Sequence, residues 1–233
     1  MPARITRGLV HVSRAPTLAG GYLPIRILRM TQEHAKWWDE HVQKEWIDSL
    51  DRADKNWNWP FRIFNVTRLA AETLGQMPAA LVAGVECASP PHVMPCVMSL
   101  LVEKYPDLHD HSRESAFLWY LSPAPDQFFI EGRGRALAAI PQRRALMRIG
   151  MDMAITASYN AMRRGRLGLH ADPRGGEALA RWYRGPEGRM SNLPATQPLP
   201  VGFRRIIMRN DGRYFYHDEN SAFAISRELD TLR

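Results

Sequence analysis

The chain has 233 residues, 45% hydrophobic and 24% charged, a balance that excludes an intrinsically disordered polypeptide and suits one large folded domain. An excess of 31 Lys and Arg over 24 Asp and Glu gives a formal charge of +7, which calls for an anionic partner such as nucleic acid, a membrane surface or a phosphorylated small molecule. Cys87 and Cys96 are the only cysteines, too few for a disulfide framework or a Cys/His zinc site, and no apolar run approaches the roughly 20 residues of a membrane span, so a soluble protein of the reducing cytoplasm, without a secretory signal or a metal, is expected.

Residues 1–20 carry no sustained periodicity and read as a loose lead-in, with residues 21–233 forming a single domain. "YLPIRILRM", Tyr22–Met30, alternates as a first strand. Thr31 is a good N-cap for a helix in which Trp37, Trp38, His41, Val42, Glu45 and Trp46 recur at helical spacing, an aromatic stripe that reads as core. "DRADKNWNWPFRIF", Asp51–Phe64, is rich in turn formers and reads as a loop broken at Pro60. Three apolar runs bounded by prolines follow, Pro78–Ser89, His92–Pro106 and Ser115–Pro125, and suit adjacent strands of a buried sheet. Asp126–Pro141 reads as an inserted loop with a helical turn near Ala136–Ala139. A strong helix then places Leu146, Ile149, Met153, Ala157 and Ala161 on one face and ends near Gly165. "RLGLHA", Arg166–Ala171, is a strand and "GGEALARWYR", Gly175–Arg184, a helix. "FRRIIMRN" and "RYFYHD" read as two strands around an Asp211-Gly212 type I′ turn. This order is α+β, with a mixed, mostly antiparallel central sheet flanked by helices.

From Arg143 to Tyr183 the chain resembles the GNAT superfamily of acyl-CoA-dependent N-acetyltransferases. The resemblance is carried by "QRRALMRIGMDMAITASYNAMRRGRLGLHADP" and "EALARWYRGPEGRM". In that family a strand leads into an Arg- and Gly-rich turn that opens a long helix, and a later helix carries an aromatic-Tyr pair followed by Gly and an apolar residue. Gly150 stands for the second glycine of that turn, Arg148 replaces the first, and Ala145 takes the place of the leading Arg. "EGRGRAL", Glu131–Leu137, offers another register with better glycines, but Pro141 would interrupt its helix within two turns.

The resemblance implies an acetyl-CoA site. Arg143, Arg144, Arg148, Ile149, Gly150 and Met151 would seat the pyrophosphate where a helix start leaves N–H groups free. Tyr120, Leu121, Ser122 and Ala124 would pair with the pantetheine arm and the thioester oxygen. Tyr183 would protonate the departing thiolate, with packing of the helix on the sheet as its plain role. Glu86, in a strand run, and Glu114, just before the run that would border the cofactor, could accept the amine proton directly or through water, and neither is fixed by a motif. Trp57–Phe64 would be a lid or acceptor wall. His170 and Asp172 share a strand end, but with no third ligand or readable nucleophile they read as structural. The acceptor stays open among amines, charged RNA included, as does the oligomeric state. The alternative is an inactive, basic module of the same fold that binds nucleic acid or a protein.

Overall fold

A computed structural model describes residues 11–200 and 209–233. Residues 1–10 of the expected lead-in lie outside the described residues, and residues 11–20 are more ordered than their composition suggests: β1 (Arg14–Pro16) pairs antiparallel with β2 (Tyr22–Pro24), and Val12 and Ala15 are buried in the main core. The first expected strand is thus split, because Pro24 ends β2 and a second segment, β3 (Arg26–Arg29), joins a different sheet.

Thr31 caps α1 (Gln32–Trp38) as expected. Its hydroxyl accepts from the His34 N–H while the Thr31 N–H donates to His34 Nδ1, so a histidine does the work usually done by Glu in a capping box. The helix widens into a π-helical stretch over Asp39–Ile47, which buries Val42, Gln43 and Ile47. Asp51–Phe64 departs from its reading as a loop: α2 (Trp59–Leu74) begins inside it. Pro60 starts this helix instead of breaking it, since a first-turn residue needs no N–H, and the Asn58 side chain accepts from the Phe61 N–H. Gly75, at φ 62°, closes α2 in the left-handed conformation that suits glycine.

Strands β4 (Ala79–Glu86), β5 (Val93–Pro106) and β6 (Glu114–Pro123) follow in antiparallel succession. The insertion holds α3 (Asp126–Ile130) and a 3-10 turn at Arg133–Ala136. Next come α4 (Arg143–Asn160), β7 (Leu167–His170), α5 (Gly176–Arg184), β8 (Ser191–Asn192), β9 (Tyr214–His217) and α6 (Glu219–Arg227). The partner expected for β9 across the Asp211-Gly212 turn lies largely outside the described residues. The seven-stranded sheet has the order β3-β4-β5-β6-β7-β9-β8, antiparallel throughout except for β6 against β7. It is the mixed, mostly antiparallel sheet flanked by helices that the order of elements implies.

Apolar side chains cover both faces. Trp38, Trp59, Tyr105 and Phe117 belong to one cluster, and Leu118, Met151, Ile155, Leu167 and Phe215 to another. Helix α4 is buried continuously from Ile149 to Ser158, so it is an inner helix and not a surface one. Gly150 permits its approach to the sheet: a Cβ there would stand 2.3 Å from Leu121 Cδ1 and 3.1 Å from Val97 Cγ1. Among the described residues no helix is long and apolar enough to cross a membrane.

Candidate functional site

The parallel pair β6 and β7 separates. Register pairing covers Ala116 with Leu167, Phe117 with Gly168 and Leu118 with Leu169, and then ends, although β6 runs on to Pro123. On its other edge β6 stays paired with β5 through Tyr120, Leu121 and Ser122. The register on that edge slips between Leu118 and Tyr120, so Trp119 is a β-bulge, a device that bends a strand and re-aims its side chains. A cleft of about 1070 Å³ opens at the separation, large enough for an extended ligand.

Bulging places Trp119 and Tyr120 on the same face. Tyr120 faces Leu100 across the ladder, as Phe117 faces Val102, while Trp119 packs edge-on to Phe117. Tyr120 meets Trp57 and Trp59 on this face, whereas Leu121 turns to the other, against Gly150 of α4. The cleft therefore communicates with the α2 side through Trp57 and Arg62, and with the α4 side through Arg143, Arg144 and Met147.

At the α4 side the helix start is uncapped. Gln142 spends its side-chain amide on the Thr17 carbonyl, and the first N–H to close on the helix is that of Leu146, donating to the Gln142 carbonyl. The preceding N–H groups are the free donors of any helix start and carry partial positive charge. Among the described residues Arg143 has no carboxylate within ion-pair distance; partial burial, and then the neighbouring Arg52, pull its pKa down from the ordinary guanidinium value. Arg144 is 84% exposed on its side chain and, among the described residues, pairs with Glu187 alone, at 3.8 Å.

Tyr183, on α5, stands across the cleft, buried between Trp182 and Phe215. Burial, and then the charge of Asp54, push its phenol well above the usual tyrosine range, which keeps it protonated. Its hydroxyl has no hydrogen-bond partner among the described residues.

A buried polar cluster holds the wall between these parts. Arg52 donates from Nε to Asp54 Oδ1 at 2.8 Å and from Nη2 to Oδ2, and its Nη2 also donates to the Pro123 carbonyl at 3.0 Å. The Ser122 hydroxyl donates to the same Asp54 oxygen. Arg174, forked onto Asp172, reaches the Lys55 carbonyl at 3.2 Å. Segment 51–57 is thereby tied to the end of β6 and to the loop after β7. This cluster has no local signature, since Ser122 lies 68 residues from Asp54.

The expected site residues divide. Tyr120, Leu121, Arg143, Arg144 and Tyr183 line one cleft. Ser122 and Ala124 do not: both are fully buried, Ser122 is committed to Asp54, and the Ala124 N–H donates to the Cys96 carbonyl at 2.8 Å. The turn expected ahead of Gly150 is already helix. Arg148 lies in its second turn and pairs with Glu228 at 2.7 Å, while Ile149 and Met151 are core residues and Gly150 packs on the sheet. The alternative register over Glu131–Leu137 opens no long helix, because Gly134 is buried on Phe128 and Phe129 in a single 3-10 turn. Glu86 pairs with Arg26, and Glu114 with Lys104 and Arg163 at 3.2 and 2.9 Å, all outside the cleft. Asp51, Asp54, Asp126, Asp172 and Glu177 are the carboxylates that line it. His170 pairs with Asp211, at 3.0 Å, and not with Asp172.

No family model matches the chain, and no curated protein matches it. Among solved structures, an acetyltransferase of the GNAT family from Staphylococcus aureus Mu50 is similar over 84% of this chain and 99% of its own, at 11% identity and a TM-score of 0.46. A mutant form of the AtaT toxin is similar over 86% of this chain and 93% of its own, at 12% identity and a TM-score of 0.41. At that level neither likeness says what this chain does.

Proposed function

We propose that the protein is an acyl-CoA-dependent N-acyltransferase that moves an acetyl group from acetyl-CoA directly to an amine. The observation that carries the reading is the unpaired length of β6 beyond Leu118, which opens between an uncapped helix start bearing two arginines and a buried, protonated tyrosine. Each part suits one part of the donor. The free N–H groups of the α4 start, with Arg143 and Arg144, suit a pyrophosphate. The β6 edge from Trp119 to Leu121 offers backbone groups to a pantetheine amide and to the thioester oxygen, where they stabilise an oxyanion in a site partly shielded from water.

The chemistry then needs one proton delivered and one removed. The amine lone pair forms the C–N bond at the thioester carbon, the tetrahedral intermediate collapses with cleavage of the C–S bond, and the sulfur takes the Tyr183 proton. Water in the cleft, beside its carboxylates, takes the proton that the nitrogen loses. Calorimetric titration with acetyl-CoA tests the donor site: saturable binding together with thiol release in the presence of an amine supports the reading. No saturable heat, combined with RNA binding that weakens steeply with salt, would instead support a non-catalytic basic module.

A further inference from the structure

Arg62 is a cleft-lining guanidinium that the donor site leaves unused. It stands near the start of α2, on the face of the sheet opposite α4, and lines the cleft there. Its Nη1 donates to the Tyr120 hydroxyl at 2.9 Å. Its central carbon lies 5.0 Å from the Tyr120 ring centre and 5.7 Å from that of Trp57, and these two rings meet edge to face at 4.7 Å. Among the described residues no carboxylate lies within ion-pair distance of it. This differs from Arg52, which is committed to Asp54, and from Arg174, which is committed to Asp172.

A guanidinium held by a phenol and two ring faces is positioned without being neutralised. One of its five N–H donors is spent on Tyr120, and the remaining fork suits the paired oxygens of a carboxylate or phosphate. The β6 bulge sets its place, since it is the bulge that turns Tyr120 toward α2 at the point where the strand edge becomes free. Arg143 and Arg144 serve the opposite face, so one cation site lies on each side of the thioester position.

We infer that Arg62 reads the acceptor: the amine that receives the acyl group also carries a carboxylate or a phosphate, and the Arg62 fork holds that anion while the amine points into the gap between β6 and β7. This rests on the acyltransferase reading above. The test compares matched amines that differ in the anion alone, free amino acids against their amides for the carboxylate, and O-phosphoethanolamine against ethanolamine for the phosphate. Turnover is followed as thiol released from acetyl-CoA, and binding to the free protein is followed by calorimetry.

The expected result is a preference in kcat/KM of roughly 10- to 100-fold for the charged member of one pair, the range of a charge-assisted hydrogen bond. Arg62→Gln removes that preference, Arg62→Lys keeps part of it, and both bind acetyl-CoA like the parent, which also reports that they are folded. Equal use of charged and neutral amines by the parent protein overturns the assignment. So does an Arg62→Gln variant that loses acetyl-CoA binding in step with acceptor use, which would move Arg62 to the donor side. Should acetyl-CoA fail to bind at all, the acyltransferase reading falls by itself, and calorimetry with the same amines still decides for Arg62: heat from a charged member, lost in Arg62→Gln, supports an anion site, and no heat from any overturns it.

Discussion

Asp54→Ala removes the anion that holds the cleft wall, and the size of the effect follows from its burial. The Arg52 and Asp54 side chains are 10% and 6% exposed, and Nη1 of Arg52 already lacks a partner. Deleting the carboxylate leaves a buried guanidinium with only the Pro123 carbonyl to donate to, and the Ser122 hydroxyl loses its acceptor. Breaking a buried pair from one side costs about 3–5 kcal/mol. For a chain of this size that lowers Tm by about 6–20 °C, at roughly 2–4 °C per kcal/mol. Urea unfolding measures it as a shifted midpoint with an unchanged slope. Ser122→Ala gives a smaller loss, about 1.5–3 kcal/mol, because the Arg52 fork survives. The double variant Arg52→Met with Asp54→Leu removes both charges and so loses less than Asp54→Ala alone. An Asp54→Ala variant within about 1 kcal/mol of the parent, or a double variant worse than the single, refutes the claim that charge compensation holds this wall.

Three further outcomes follow from the same geometry. Tyr183→Phe lowers kcat by at least about tenfold at an unchanged acetyl-CoA Kd, and because the phenol is held above its usual range, the parent's rate shows no decline attributable to tyrosine ionisation as pH approaches 10; a tyrosine-dependent decline below that pH, absent in Tyr183→Phe, removes the acid role. Charge reversal at Arg143 or Arg144 weakens acetyl-CoA binding by more than about tenfold, whereas Arg148→Glu, whose parent residue pairs with Glu228 outside the cleft, changes it less than about twofold; the opposite ranking in calorimetry would return the phosphate seat to the second turn of α4. Burial pushes the His217 imidazole down to about 4, so the unfolded chain, with an ordinary value of about 6.5, binds the proton first as pH falls. The stability from neutral His217 is complete above pH 6.5 and shrinks toward pH 4, about 2 kcal/mol by pH 5 at 1.4 kcal/mol per unit. His217→Gln removes that part of the pH dependence, and urea midpoints at pH 7 and 5 that move equally in both proteins count against it.

Much of the frame was legible because its signals are local. The run from α4 through β7 to α5 reads directly from an apolar stripe, a glycine end and a short apolar strand, and the three proline-bounded runs are β4, β5 and β6. Helix α2 is hidden as long as proline counts only as a breaker; Asn58 two residues before Pro60 makes the same proline a helix start. Helix α6 also escaped, although Asp218 caps it by accepting from the Ser221 N–H, a spacing visible in the sequence. The bulge at Trp119 was beyond reach, because a ladder slip depends on which residues of β5 and β6 face each other.

The difference between the phosphate seat expected ahead of Gly150 and the one proposed at the start of α4 has another physical cause. A glycine that lets a phosphate approach a helix start and a glycine that lets a helix approach a sheet are identical in sequence, and spacing alone separates them. Gly150 is four residues after Leu146 and three before Met153, so it falls on the apolar stripe that must face the sheet, where a Cβ would strike Leu121. A helix start, by contrast, is marked by where the chain is first free to coil. Pro141 ends the preceding irregular segment and the next residues are Gln142, Arg143 and Arg144, with no Ser, Thr, Asp or Asn to satisfy the opening N–H groups. Missing cap chemistry beside two arginines is a stronger physical signal for an anion than glycine count. Applied to this chain, it favours the proposed seat five residues upstream of Arg148, at the end of α4 that opens into the cleft containing Tyr183.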